Sequence, residues 1–312
     1  MKHTPVVDAA TLPRQVPTEA NIALIAPAGP KEFDVKAAER WVTSRGHRLK
    51  VYPGVLQHQG YLAGSDDVRL KDLHDAFADP EIDAIICLRG GYGTPRLLDR
   101  IDYDLIGRHV KPFIGYSDLT ALHLAFARHC NFVSFHGPML TSDLLANRQA
   151  PTEDSLRRLL RGQLRKGDLL AHPVAHPLTC IEHGVASGRL TGGNLSMICA
   201  TLATDYEIDL DGAILFIEDV GEPLYRVDRL LTHLRLAGRF KGLRGVLVGD
   251  FAGLDVPRLT PLLKEVFGPM GIPVLAGWRS GHCDPNLTLP LNTQVRLDAG
   301  QKTLMLEQDV VR

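Results

Sequence analysis

The sequence has little of what marks a membrane or secreted protein. No apolar stretch approaches the roughly 20 residues that span a bilayer, and residues 1–21 carry proline and charge instead of a signal peptide's apolar run. The 312 residues include only five cysteines, an odd number at wide spacings, which does not indicate a disulfide framework. These absences predict a reduced, cytoplasmic protein without a membrane segment.

The chain also has no excess of charge of either sign. Its 35 basic and 36 acidic residues are mixed along the sequence and give a formal net charge of −1. Nucleic-acid binding depends on a basic surface that releases counterions from phosphates. The composition therefore argues against a nucleic-acid partner, and its 45% apolar and 23% charged residues are typical of a folded globular protein.

The length predicts two domains, because a single hydrophobic core usually stops growing before about 300 residues. Residues 1–20 contain three prolines and little periodicity, which predicts a loosely ordered N-terminal arm. We expect a first α/β domain over residues 21–140, a linker over 141–185 and a C-terminal domain over 186–312.

The first domain has the pattern of a doubly wound parallel sheet. Residues 21–26 (NIALIA) and 84–88 (AIICL) are short apolar runs that predict buried strands. Residues 35–45 and 68–77, which lie between these two runs, have apolar side chains at helical spacing. Apolar strands that alternate with helices indicate a parallel sheet covered on both faces.

The second domain mixes strands with helices and predicts a second, mixed α/β unit. Its predicted strands and helix lie at 188–195, 213–220, 227–236, 245–251 and 294–297. Before it, the candidate linker carries a basic helix at 154–164 and a stretch rich in proline and histidine at 171–177.

A serine lies on a predicted strand-to-helix turn in Gly115-Tyr116-Ser117-Asp118. Such a turn exposes a hydroxyl at the carboxyl edge of the sheet, where open α/β folds bind ligands. The backbone N–H of Asp118 and the helix N-terminus could then receive an oxyanion. The motif is an incomplete nucleophile elbow G-x-S-x-G, because position 119 is Leu. The alternative is that Ser117 and Asp118 only cap the helix.

The glycine-rich turn Arg89-Gly90-Gly91-Tyr92-Gly93 also follows a predicted strand. It does not match the dinucleotide fingerprint G-x-G-x-x-G, because the last glycine is replaced by Arg96. Two interpretations stay open: a turn that supplies one oxyanion donor, or a turn without a role in chemistry.

A serine nucleophile needs a base and an orienting acid that are near it only in space. His282 lies in a polar loop, and His136 is a second loop histidine near the end of the first domain. Glu218, Asp219 and Glu222 follow an apolar strand, although acids there can also be plain surface charge.

Two other clusters are weaker candidates. His172, His176 and His183 with Glu182 have a loose metal-like spacing, but two prolines interrupt the helix that would align such ligands, so we predict no metal site. Cys283, beside His282, could be a catalytic thiol, but a free cysteine is more often a small buried hydrophobic residue.

Together these motifs resemble the LD-carboxypeptidase (muramoyltetrapeptide carboxypeptidase) family of serine peptidases. The resemblance covers nearly the whole chain, with its motifs in family order: IALIAPA at 22–28, YLAGSD at 61–66, RGGYG at 89–93, GYSD at 115–118, HGP at 136–138, LTGGNL at 190–195, IED at 217–219 and GH at 281–282.

The resemblance implies a role for each candidate side chain. Ser117 would be the nucleophile, His282 the general base and Glu218 the acid that orients it. The backbone N–H groups of Asp118 and Gly91 would hold the oxyanion. It further implies a flavodoxin-like first domain with the serine, a swivelling or barrel-like second domain with the acid and base, a homodimer, and no cofactor.

The resemblance also implies a substrate, a muropeptide tetrapeptide whose L,D bond to the terminal D-alanine is cleaved in peptidoglycan recycling. Arg89, Asn194 and Arg229 are candidates to bind the terminal carboxylate. Two alternatives stay open. One is a microcin C immunity-type peptidase that acts on aminoacyl-adenylate analogues, and the other is a non-catalytic peptide sensor, which would be expected to have lost the triad.

Overall fold

The computed structural model describes residues 9–312, which form two β-sheets flanked by helices. The first sheet contains β1 (Asn21–Ile25), β2 (Arg48–Val51), β3 (Ala84–Cys87), β4 (Phe113–Gly115) and β5 (Ser134–His136). Its helices are α1 (Val35–Thr43), α2 (Asp66–Ala78), α3 (Tyr103–Arg108) and α4 (Thr120–His129). Between the sheets in sequence lie α5 (Thr152–Leu160) and β6 (Thr179–Glu182).

The rest of the chain supplies further strands that alternate with three helices, and most of these strands join β6 in the second sheet. The strands are β7 (Val185–Asn194), β8 (Ala213–Val220), β9 (Gly245–Ala252), β10 (Val274–Ala276), β11 (Leu289–Leu291), β12 (Thr293–Asp298) and β13 (Thr303–Leu306), of which β11 joins the first sheet. The helices are α6 (Leu195–Ala200), α7 (Leu224–Leu236) and α8 (Val256–Phe267).

The first sheet has the strand order β11-β5-β4-β3-β1-β2. Strands β1 to β5 are parallel and follow the flavodoxin-like order 2-1-3-4-5. The predicted flavodoxin-like domain is thereby confirmed. One edge differs from a purely parallel sheet, since β11 from the C-terminal part of the chain pairs antiparallel with β5.

The second sheet is mixed, in the order β13-β12-β7-β8-β9-β10-β6. Strands β7 to β10 are parallel, whereas β12, β13 and β6 pair antiparallel. This confirms the expected mixed α/β second domain. No helix within residues 9–312 has the length and apolar character needed to cross a membrane.

A shared hydrophobic core joins the two sheets. In β1, alternate residues face opposite sides of the sheet: Ala23 and Ile25 pack under one helical layer, and Ile22 and Leu24 face the other way. The second face contributes to one apolar cluster with Ile214, Phe216, Leu247 and Leu275 of the second sheet. The catalytic candidates on the two domains are therefore held in register by packed side chains.

The expected N-terminal arm and linker both contact this framework. Residues 1–8 of the arm lie outside the described residues. Beyond them, Thr11 bridges to Phe132, the Gln15 N–H donates to the Arg312 carbonyl, and Val16 is buried. Within 141–185, α5 packs into the shared core, and β6 extends the second sheet beside β10.

Candidate active site

Ser117 lies where β4 ends, in a tight helical turn (Ser117–Leu119) that leads into α4. Its φ of 65° is in the left-handed region, which non-glycine residues seldom adopt and which occurs at functional sites. Tyr116 before it is buried, but Ser117 itself is only half-buried. The turn therefore presents the hydroxyl at the carboxyl edge of the first sheet.

The structure brings Ser117 together with two predicted partners from the second domain. Its Oγ lies 3.1 Å from His282 Nε2, and His282 Nδ1 lies 2.7 Å from Glu218 Oε2. Glu218 is near the end of β8 and fully buried, whereas His282 is in the loop between β10 and β11. A continuous hydrogen-bonded chain thus runs from the serine hydroxyl to a buried carboxylate.

In this hydrogen-bonded chain, the negative charge of Glu218 and the positive charge of a protonated His282 stabilise each other. Burial alone would raise the pKa of Glu218, but the imidazoles of His136 and His282 outweigh it and lower the pKa to about 2. Burial lowers the pKa of His282, yet its hydrogen bond and attraction to Glu218 prevail and raise the pKa above the ordinary value. Glu218 is therefore an anion poised to stabilise a protonated His282.

The neighbouring acids have other partners. The Asp219 carboxylate accepts hydrogen bonds from the Asn194 side chain at 2.8 Å and from the Ser196 N–H at 2.9 Å, which ties β8 to the start of α6. Glu222 forms an ion pair with Arg226 at 2.8 Å. Of the three acids that the sequence left in contention, only Glu218 contacts His282.

An irregularity between β8 and β9 lies opposite Glu218. Ile217 pairs with Val248, but Asp219 pairs with Phe251, so β9 carries one extra residue at this point. Such bulges re-aim side chains beside active sites. Here Glu218 turns toward the His282 loop, and Asp219 turns toward α6.

The glycine-rich turn packs directly on the serine. A Cβ on Gly90 would lie only 2.8 Å from Ser117 Cβ and 3.5 Å from the Asp118 nitrogen, so only glycine allows this approach. Gly91, with φ of 126°, follows immediately. The backbone of this turn and that of Asp118 thus flank the serine hydroxyl, where an oxyanion would form.

The Asp118 side chain fastens the glycine-rich turn, a role that the sequence analysis missed. The carboxylate accepts the Thr94 N–H at 2.9 Å, and the Thr94 hydroxyl donates to the Asp118 carbonyl at 2.6 Å. Burial raises the pKa of Asp118, and the Thr94 bonds oppose this. The fully buried Arg69 donates to the carbonyls of Pro27 and Gly93. In the sequence, the signal for this role was the acidic residue directly after the serine.

The three proposed carboxylate-binding residues differ in their surroundings. Arg89 is half-buried beside Gly90 and donates to the Pro30 carbonyl at 3.3 Å. Arg229 is exposed on α7. Asn194 is buried, with its amide nitrogen on Asp219 and its oxygen capping α6. Both polar atoms of Asn194 are therefore engaged in bracing, unlike those of a free substrate receptor.

The weaker candidates lie outside the catalytic chain. His172 accepts the Arg279 N–H at 3.0 Å and packs against Trp278. Cys283 is buried, and burial raises the pKa of its thiol well above the usual range. Among residues 9–312, no three His, Cys, Asp or Glu side chains are grouped as metal ligands. His136, noted in the sequence without a role, is fully buried with its Nε2 3.7 Å from Glu218 Oε1.

Family models match both halves of the chain. Residues 22–137 match a model described as LD-carboxypeptidase N-terminal domain, and residues 187–297 match one described as LD-carboxypeptidase C-terminal domain. The first match contains Ser117, and the second contains Glu218 and His282.

Similar proteins carry related names. The chain is 38% identical to a probable murein peptide carboxypeptidase of Bacillus subtilis, with 93% of this chain and 91% of that protein covered. Muramoyltetrapeptide carboxypeptidase from Oxalobacter formigenes superposes with a TM-score of 0.78 at 29% identity, covering 92% and 97%. An MccF-like protein from Bacillus anthracis, named after the microcin C7 self immunity protein, gives a TM-score of 0.89 at 25% identity, covering 96% and 100%.

Proposed function

Because the chain belongs to the LD-carboxypeptidase family and is a serine-type peptidase, we propose that it removes the terminal D-alanine from murein tetrapeptides. The observation that carries this proposal is the unbroken chain from Ser117 Oγ to His282 and Glu218, with spacings of 3.1 and 2.7 Å. These are the distances over which a base can take a proton and an acid can orient that base.

In the proposed reaction, the Ser117 oxygen attacks the carbonyl carbon of the scissile bond while its proton moves to His282 Nε2. Glu218 accepts the Nδ1–H and stabilises the imidazolium that forms. The tetrahedral intermediate collapses, His282 returns the proton to the leaving amine, and D-alanine departs. Water, activated by the same imidazole, then hydrolyses the acyl-enzyme and restores the Ser117 hydroxyl.

The developing oxyanion needs donors that are already in place. We assign this role to the backbone N–H groups of Asp118 and Gly91, on the two turns that flank Ser117. The contact between Gly90 and Ser117 and the Thr94 bonds to Asp118 support this assignment, because they restrain both turns. All groups in the mechanism belong to the protein, so the proposal needs no cofactor.

For the terminal carboxylate of the peptide, Arg89 is the preferred partner. It is adjacent to Gly90, which lies too close to Ser117 to carry a side chain, and its guanidinium can form a bidentate pair with a carboxylate. Arg229 is the second choice. The cytoplasmic location, the role in peptidoglycan recycling and the homodimer stay predictions from the sequence and the family resemblance.

The second candidate is hydrolysis of an aminoacyl-nucleotide analogue, favoured by the similarity to the MccF-like protein. The same triad could attack either substrate. The discriminating experiment incubates the purified protein with a murein tetrapeptide and, separately, with aspartyl sulfamoyl adenosine, and follows release of D-alanine and of the sulfamoyl nucleoside. Release of D-alanine supports the first proposal, whereas nucleoside release alone would replace it with the second.

A further inference from the structure

We infer that His136 is a positioning residue for Glu218: from the first sheet, its imidazole holds the carboxylate oxygen that His282 does not use. The inference rests on the proposed function, since it concerns the acid of that triad. His136 would be a fourth side chain beside the triad of Ser117, His282 and Glu218, and it belongs to the same domain as the nucleophile.

The first observation is an unpartnered oxygen in a fully buried carboxylate. Glu218 Oε2 is bonded to His282, but Oε1 has no hydrogen bond among the described residues. The same is true of His136 Nε2, which lies 3.7 Å away, and both side chains are completely buried. A buried anion leaves such an atom unsatisfied only at considerable cost. The nitrogen is therefore the natural donor for this oxygen.

A movement of less than about 1 Å would close the gap to hydrogen-bond length. Catalytic hydrogen bonds are commonly long in an unliganded enzyme and shorten when substrate binds. The His136 ring packs against Phe216 and Tyr116, at centroid distances of 4.9 and 5.7 Å, and these contacts keep it beside Glu218.

The second observation is a hydroxyl beside the other ring nitrogen of His136. Ser280 Oγ lies 3.3 Å from His136 Nδ1. A serine hydroxyl that donates to Nδ1 leaves the proton on Nε2, the nitrogen that faces Glu218. Ser280 is only two residues before His282, so one loop carries the base and also orients the second histidine.

The Nε2–H group of His136 would act as a hydrogen-bond donor that holds Glu218 as an anion. The titratable groups that interact electrostatically with Glu218 or His136 are Tyr116, His123, Asp219, Asp250, His282 and Cys283. Asp250 is paired with Arg279, and Asp219 is bonded to Asn194 and Ser196. His282 is thus the group that feels a change in the Glu218 charge most directly.

The test compares His136→Leu, which removes the donor, with His136→Gln, whose amide nitrogen can take the place of Nε2. With tetrapeptide as substrate, His136→Leu should lower kcat by roughly 10- to 100-fold with KM nearly unchanged. The acidic limb of its kcat/KM profile should move to higher pH, because Glu218 without its second donor attracts the His282 imidazolium more strongly. His136→Gln should recover most of the lost rate and the original limb.

His123→Gln is the matched control, since His123 is also fully buried in the first domain and bonded to Ser134 and the Gly115 carbonyl. It should lower the melting temperature and leave the acidic limb in place. The inference is overturned if His136→Leu keeps kcat within threefold of wild type. It is equally overturned if Leu and Gln lose the same rate with no movement of the limb.

An NMR titration of the His282 ring gives a readout that does not depend on turnover. The ring should titrate at higher pH in His136→Leu than in wild type. If that variant does not fold, Ser280→Ala takes its place, and an unchanged His282 titration there overturns the inference. A wild-type protein that releases no D-alanine would refute the proposed function, while the titration would still decide the role of His136.

Discussion

At the scale of single residues, the proposed chemistry depends on one strained serine and two ionisable partners. Ser117 has little packing to lose, because it is half-buried and its hydroxyl is hydrogen-bonded to His282. Glu218 and His282, by contrast, are coupled in charge as well as in geometry. Substitutions at these positions should therefore separate loss of activity from loss of stability.

Ser117→Ala should fold like wild type and lose activity. The substitution removes the attacking oxygen, so kcat should fall by about 10⁴-fold or more. The fold should persist, because alanine is small enough to adopt the backbone conformation of Ser117. Release of D-alanine and a thermal melt followed by circular dichroism measure the two effects. Activity within tenfold of wild type would exclude the serine mechanism.

Glu218→Gln and Asp219→Asn should differ in what they damage. The glutamine can favour the wrong His282 tautomer, so kcat should fall by roughly 10³- to 10⁴-fold. Asp219→Asn weakens the contacts with Asn194 and Ser196, and should act mainly on the melting temperature. The comparison uses kcat and melting curves for both variants. A larger loss of kcat in Asp219→Asn would show that the wrong acid has been assigned.

The pH dependence follows from the raised pKa of His282. The base must be neutral to accept the Ser117 proton, so kcat/KM should fall as the pH drops through an apparent pKa above 6.5, the ordinary value for histidine. Glu218 stays ionised throughout this range, since its pKa is about 2. A pH profile of the free enzyme tests this. The apparent pKa is a property of the coupled Glu218–His282 pair. An acidic limb of kcat/KM below pH 6 would contradict this coupling.

At the scale of elements, the site depends on loops that approach one another closely. The loop after β10 places His282 beside Glu218 near the end of β8, and the bulge in β9 lies opposite Glu218. At Gly281, φ is 106° and an added Cβ would lie 2.4 Å from Glu218 Oε2. This glycine therefore decides whether the carboxylate can reach the imidazole.

Gly281→Ala should displace the Glu218 carboxylate and lower kcat by roughly 10²-fold, the usual cost of a shift of about 1 Å in a catalytic group. Gly271→Ala is the matched control: its φ is 63°, but an added Cβ meets nothing within 4 Å. It should cost about 1–2 kcal/mol of folding free energy and leave kcat unchanged. Equal kcat in the two variants would show that the close approach is unimportant.

At the scale of the whole molecule, the two sheets share one hydrophobic cluster. Side chains of both sheets meet in it, together with Trp278 and, at its edge, Trp41 of α1. Ser117 belongs to the first sheet, and Glu218 and His282 belong to the second domain. The distances in the active site are thus maintained by a packed interior and not by the triad alone.

This shared core predicts cooperative unfolding. The chain has 2 tryptophans, so Trp41→Phe leaves a reporter on the second domain and Trp278→Phe leaves one on the first. In each variant, the fluorescence midpoint should agree with the circular dichroism midpoint within about 2 °C. Two separate transitions would mean that the domains unfold independently.

The amino-acid sequence alone determined the class of fold and the principal residues of the candidate site. Apolar runs at 21–26 and 84–88, alternating with helical patterns, are local signals, and both strands appear with boundaries shifted by a residue. The motif around Ser117 is likewise local, because a strand-to-helix turn is encoded in a few consecutive residues. The family resemblance selected Glu218 from three acids, which periodicity alone could not do.

The tertiary structure decided whatever depends on residues distant in sequence. The antiparallel pairing of β11 with β5, the contact of Ser117 with His282 across 165 positions, and the Asp118 bonds to Thr94 have no local signature. His136 is the clearest case: the sequence predicts a loop histidine without a role, whereas the structure places it at the end of β5 and buries it beside Glu218. The burial of His136 and its proximity to Glu218 arise only when the two sheets pack together.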